Sequence, residues 1–250
     1  MISVVFACIA CLCWLIALTV MLPLTLIVTA SKSFRSLFFS CVYSRLGEPF
    51  FKTHLDVARK KVFQLLKDNL KNKFEPLEVL EIGVGPGPNL QFYPDNCFLT
   101  VLDKNAGFES YFFKNLKKNS HISYQRSVIQ PAEKMLDIDD ESFDVVISTY
   151  LHCSTQDSSA VLQEVKRVLK PGGKYLFLDH VGFPQRDIGL YIQKFIGPLW
   201  TWYSDGCILH KDIATTIKEA GFSDVTCERL TFMNFTMYLL RHQIVGIATK

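Results

Sequence analysis

The stretch EIGVGPGPN, residues 81–89, follows the apolar run Val79-Leu80 and precedes a helical pattern. Its glycines at 83, 85 and 87 almost fit the dinucleotide fingerprint G-x-G-x-x-G, but Pro88 stands where the third glycine belongs. A glycine-rich turn between strand and helix lets the backbone approach a ligand closely, and proline suits the first position of a helix. The loop alone does not decide between a nucleotide, another ligand and an empty turn. A phosphate-binding P-loop is excluded, because no Gly-Lys-Ser/Thr follows.

Outward from this loop, short β-rich runs alternate with helical stretches. The runs are LEVLEIG (77–83), CFLTVLD (97–103), HISYQRS (121–127), FDVVIST (143–149) and GKYLFLDHV (173–181), with helical patterns over 107–117 and 158–169. That alternation predicts an α/β fold with a doubly wound, mostly parallel sheet. The last third adds a helix over 210–220, stopped by Gly221, then DVTCERL and QIVGIAT. These two closely spaced strands are expected as an antiparallel edge, for about seven strands in all. Ligands of such sheets bind beyond the carboxyl ends of the strands. Asp103 ends the second strand there, where a carboxylate can accept hydrogen bonds from a ribose diol or cap a helix.

The amino end is different. Between Ile2 and Ala30 there is no charged residue, and Lys32, Arg35 and Arg45 follow. The apolar length fits a bilayer and the basic residues predict that the downstream chain faces the cytosol. A cleaved signal peptide fits less well, since the segment is too long and lacks a basic start. Pro23 allows a shallow hairpin as well as a single span. The expected organisation is a membrane anchor over 1–31, an amphipathic helical lead-in over 32–76, and a domain over 77–250.

A net charge of +3, with Lys and Arg spread along the 250 residues, gives no docking face for nucleic acid. Of the eight cysteines, Cys8, Cys11 and Cys13 lie in the apolar segment and the rest form no C-x-x-C pair. Free thiols are therefore expected rather than disulfides, and no metal site is expected from Cys/His spacing.

The set Glu81-x-Gly83-x-Gly85-x-Gly87, Asp103, Asp144 and Pro171-Gly172-Gly173, in that order, resembles the class I methyltransferases that use S-adenosylmethionine. In that family the glycine loop faces the amino-acid part of the cofactor, so Pro88 is no obstacle. Over nearly the full chain, YLHCS (150–154), FLDHV, SDGCIL and the terminal GIATK resemble the membrane-bound thiol S-methyltransferases of the methyltransferase-like family. The chain departs from their pattern at Val84, Pro86, Ala132 and Asp179. The resemblance implies a Rossmann-like fold, and S-adenosylmethionine held by Glu81, Gly83, Gly85, Gly87, Asp103 and Glu133. It further implies a small hydrophobic thiol as acceptor, and a domain facing the cytosol from the endoplasmic reticulum or lipid droplets. Methylation of a lipid or quinone, and a scaffold that has lost the chemistry, are the alternatives.

Transfer from a sulfonium donor to a thiolate annihilates charge, which a dry apolar pocket favours. Walls for it are available at Phe195, Leu199, Trp200, Trp202 and Tyr203. His152 after the fourth strand and His180 at the end of the fifth are the candidates to take a proton or orient the acceptor.

Overall fold

The computed structural model describes residues 2–20, 31–70, 76–95 and 97–250. Five parallel strands run from one edge of the sheet across its centre: β1 (Leu77–Ile82), β2 (Cys97–Leu102), β3 (Ser123–Val128), β4 (Phe143–Thr149) and β5 (Leu169–His180). The other edge is antiparallel, formed by β6 (Asp224–Thr231) and β7 (His242–Thr249), in the order β3-β2-β1-β4-β5-β7-β6. β1, β2 and β4 are buried almost throughout, as parallel strands covered on both faces must be. The strand order reverses between β1 and β4, which opens a crevice above their carboxyl ends.

Helices cover both faces. On one, α3 (Glu48–Leu70) places Leu55, Ala58, Val62, Phe63 and Leu66 at helical spacing against the sheet. On the other, α5 (Ser158–Val168) and α7 (Ile213–Glu219) bury Val161, Leu162, Val165, Ile213 and Ile217. The Asp157 side chain caps α5 by accepting from Ser159 N and Ala160 N, and Gly221 with φ +73° follows the end of α7. The remaining helices are α1 (Ile2–Val20), α2 (Lys32–Val42), α4 (Glu109–Leu116) and α6 (Ile188–Tyr203). A π-helical turn, Tyr43–Gly47, joins α2 to α3 without a break. One extra residue per turn redirects Tyr43 and Gly47, a device common at functional sites.

Two expectations need adjustment. The fifth strand was expected to begin at Gly173, after Pro171-Gly172, yet β5 begins at Leu169. The three residues form an irregularity within its ladder, with Leu169 opposite Phe143 and Lys174 opposite Val145. The apolar amino end does not stand apart from the domain. α1 lays Ala7 and Ala10 on Phe183, Ile196, Leu209, Tyr238 and Leu239, while Val5, Leu12 and Ile16 face outward. Among the described residues no helix is long and apolar enough to cross a membrane. The rest of the expected anchor, residues 21–30, and residues 71–75 of the expected lead-in lie outside the described residues.

Candidate functional site

A cavity of about 350 Å³ occupies the crevice at the strand-order reversal and extends beneath α1 and α6. One end is formed by the glycine loop. Gly83, with φ +73°, has no room for a side chain, since a Cβ there would meet Leu151 Cδ1 at 2.8 Å. At Gly85, with φ +53°, nothing lies within 4 Å of the Cβ position. The left-handed backbone favours glycine here, and the open space beside it leaves room for a ligand against the main chain.

Asp103 lines this end. Its Oδ2 accepts from Gly85 N and its Oδ1 from Asn105 N, both at 2.8 Å. Burial raises its pKa, opposed by these two backbone donors. Each carboxylate oxygen keeps a further lone pair for a ligand hydroxyl. Glu133 also lines the cavity, where its Oε1 accepts from Gln156 N at 2.9 Å.

Glu81 is placed differently. It is buried beneath the loop and accepts from Asn89 Nδ2 and Tyr93 OH, both at 2.7 Å. It braces the turn from below and does not line the cavity. Burial pushes its pKa up to about 7 against those two donors.

Sequence reasoning missed the wall supplied by α3 and the π-turn. Arg59 is fully buried at the cavity. Its Nη1 and Nη2 meet the two carboxylate oxygens of Glu48 at 2.7 and 2.9 Å, and its guanidinium lies 5.9 Å from the centre of the Tyr150 ring. Tyr43 donates to the same Glu48 at 3.0 Å. Tyr150 is a non-glycine residue with φ +55°, held by its hydroxyl donating to Gln243 Oε1 at 2.8 Å. Such strain collects where a backbone is forced into shape for function. In the sequence Arg59 reads as one more basic position beside Lys60 and Lys61 on an amphipathic helix, which carries no signal of its burial.

The far end is apolar, walled by Trp14, Trp200, Tyr203 and Leu240, with Trp14 edge-on to Trp200 at 4.9 Å. Of the aromatics expected as walls, Trp200 and Tyr203 line the cavity, whereas Phe195 is 73% exposed on the outside. Trp202 lies 5.7 Å from the Arg35 guanidinium, and Leu199 packs on the cluster beneath α1.

The two candidate histidines are separated. His180 lines the cavity beside Cys153 and Cys207, its Nε2 3.0 Å from Cys207 Sγ. His152 is fully buried in the core next to the site, its Nε2 2.6 Å from Tyr175 OH, and burial pushes its pKa down to about 3. The Asp179 carboxylate accepts from the backbone N of both Cys153 and His180, at 3.3 and 2.9 Å, so it fixes two cavity residues through their main chain.

Comparison with known proteins gives this arrangement a relation. A methyltransferase-domain family profile matches residues 80–177. The chain is 39% identical over 174 residues to rat "Thiol S-methyltransferase TMT1B", covering 70% of this chain and 71% of that one. It is 34% identical over 174 residues to human "Thiol S-methyltransferase TMT1A", at the same coverage. Among solved structures, Haemonchus contortus phosphoethanolamine N-methyltransferase 2 in complex with S-adenosyl-L-methionine shares the fold. Its TM-score is 0.55 at 18% identity, over 85% of this chain and 60% of that one. The CurJ carbon methyltransferase does so at a TM-score of 0.59 and 16% identity, over 78% and 54%. With a glycine loop, Asp103 and an apolar chamber joined in one cavity, and with relatives of this identity and coverage, the chain belongs to the thiol S-methyltransferase family of S-adenosylmethionine-dependent enzymes.

Proposed function

We propose that the protein methylates a small hydrophobic thiol at a membrane surface. The observation that carries the reading is the continuity of one cavity from the glycine loop and Asp103 to a chamber walled by Trp14 and Trp200. The residues present fit S-adenosylmethionine: the free space at Gly85 admits its amino-acid end, and Asp103 keeps acceptor capacity for its ribose. When bound, it supplies an electrophilic methyl group on a sulfonium.

The chain's own residues do the rest. Gly83 and Gly85 bring main chain against the cofactor, while Gly87, packed on Leu90 and Phe112 and outside the cavity lining, only shapes the turn. Asp103 accepts from the ribose diol, and Glu133 lines the same cavity. Glu81 holds the loop in shape from below. The apolar walls exclude water, so charge annihilation between thiolate and sulfonium is favoured over the separated ions. A thiol with a pKa of about 8.5 reaches its nucleophilic form far more readily than an alcohol. His180 meets the acceptor sulfur, and His152 supports the wall behind it through Tyr175.

Membrane association rests on the outward face of α1. Val5, Leu12 and Ile16 are exposed there, at 55, 59 and 54%. Residues 1–31 act as the anchor, 32–76 as the helical lead-in and 77–250 as the catalytic domain. Lys32, Arg35 and Arg45 keep that domain on the cytosolic side of endoplasmic reticulum and lipid-droplet membranes. An apolar acceptor that partitions into the bilayer then reaches the chamber from beneath α1.

Calorimetric titration of the full chain in mild detergent with S-adenosylmethionine tests the cofactor end. Asp103→Ala removes a charged acceptor worth about 1.5 to 3 kcal/mol, so affinity should fall roughly ten- to a hundredfold. Unchanged affinity in a folded variant overturns the assignment.

A further inference from the structure

Cys153, His180 and Cys207 come from three segments: the turn after β4, the last residue of β5, and the loop after α6. Their donor atoms all lie within 4.8 Å of one another, all three residues are buried, and all three line the cavity at its acceptor end. Sequence spacing gave no hint of this cluster, because the residues lie far apart along the chain.

We propose that Cys153, His180 and Cys207 bind a zinc ion whose fourth position opens into the cavity and takes the sulfur of the acceptor thiol. The inference deepens the proposed function and rests on it for the identity of the acceptor.

The donor set argues for the ion. Two thiolates and an imidazole suit zinc and reject the hard cations magnesium and calcium. Tetrahedral zinc with Zn–S about 2.3 Å and Zn–N about 2.0 Å spaces its ligands roughly 3.5 to 3.8 Å apart. His180 Nε2 and Cys207 Sγ stand 3.0 Å apart and the remaining donors lie within 4.8 Å, so shifts of about an ångström complete the geometry. Structural zinc sites close with four protein ligands, whereas three ligands and an open position mark the reactive kind. Among the described residues this cluster supplies three.

Surrounding contacts hold the donors in place. Trp200 Nε1–H donates to Cys207 Sγ at 3.3 Å, an interaction that favours thiolate. The Asp179 carboxylate ties the main chains of Cys153 and His180 together. Ordered outer contacts of this kind orient metal ligands.

The step balances without an oxidant or reductant. The acceptor thiol loses its proton to water as its sulfur joins the ion. A sulfur lone pair then forms the new S–CH3 bond while the methyl–sulfonium bond breaks, its electron pair staying on the departing sulfur. The neutral thioether is a poor ligand and leaves. Two protein thiolates on the ion keep the bound sulfur electron-rich, and the cavity walls keep it dry.

The test uses the full chain purified in mild detergent, with metal content, cobalt(II) absorption and S-adenosylmethionine calorimetry measured on the same preparation. The expected result is zinc at about one ion per chain. Replacement by cobalt should give thiolate charge-transfer and tetrahedral d–d bands that shift when a small alkyl thiol is added. Cys207→Ser should lose the bands, while Cys207→His, which keeps a donor, should retain an ion with altered bands. If Cys207→Ser fails to fold, the wild-type metal content and bands still decide. Metal-free protein that binds the cofactor and methylates thiols at full rate overturns the inference and leaves the proposed function standing. So does a protein lighter by two hydrogens, with Cys153 and Cys207 joined as a disulfide. Absence of cofactor binding strikes the proposed function instead.

Discussion

Gly85→Ala distinguishes a loop that only turns from one that faces a ligand. The backbone there has φ +53°, and no atom lies within 4 Å of the new methyl group. Folding should suffer only from the left-handed conformation, about 1 to 2 kcal/mol, which lowers the melting temperature by roughly 2 to 8 °C for a chain of this size. Cofactor binding should suffer more than this mild loss suggests, because the methyl occupies space reserved for the ligand. Overpacking by one carbon costs about 1 to 3 kcal/mol, or roughly 5- to 150-fold in affinity. Gly83→Ala is the contrast: its methyl would meet Leu151 at 2.8 Å, so stability should fall further. Thermal unfolding and calorimetric titration with S-adenosylmethionine, run on both variants, separate the two effects. An alanine at 85 that melts slightly lower yet binds the cofactor within twofold of the original would refute the placement of the cofactor against this loop.

Glu81 carries a pH signature. Its pKa in the folded chain is raised from the usual 4.5 to about 7, so the unfolded chain ionises first as pH rises. Its contribution is intact below pH 4.5 and is lost by pH 7, a decline of about 3 kcal/mol that Glu81→Gln should abolish. Parallel denaturation profiles for the two proteins across that window would contradict the burial argument. Arg59→Met takes the ion-pair partner from the Glu48 carboxylate, leaving it only the Tyr43 hydroxyl, and should cost about 3 to 5 kcal/mol, most of it regained in Arg59→Met/Glu48→Leu. A double variant no more stable in denaturant than the single would show that the pair is not coupled. Trp14→Ala removes one apolar wall of the acceptor chamber and, at about 0.8 kcal/mol per methylene's worth of lost contact, should raise KM for small thiols roughly fourfold with cofactor affinity unchanged, as read by steady-state kinetics and calorimetry.

Legibility in the sequence followed the range of the interactions. The strands at 77–82, 97–102 and 143–149 were readable because burial on both faces leaves continuous apolar runs, and the glycine loop because left-handed turns demand glycine. Asp103 was readable from its position at a strand end. What depended on distant packing was not. The irregularity at Pro171-Gly172-Gly173 looks like a turn in one dimension, and only pairing with β4 keeps it in the strand. Arg59 looks like an ordinary polar position on an amphipathic helix until Glu48 and Tyr150 close around it. Cys153, His180 and Cys207 share no spacing motif, since a turn, a strand end and a loop from separate parts of the chain deliver them to one end of the cavity. Apolarity of residues 2–20 was plain, but not that Ala7 and Ala10 would pack on the domain.

The most direct test of the account is methyl transfer itself. The full chain in detergent, supplied with S-adenosylmethionine carrying a labelled methyl group, is offered an alkyl thiol, the alcohol of the same chain length, a phenol and a quinol, and the products are identified by mass. The account predicts labelled thioether from the thiol and no labelled ether from the alcohol. Methylation of the phenol or quinol at or above the rate of the thiol would contradict it.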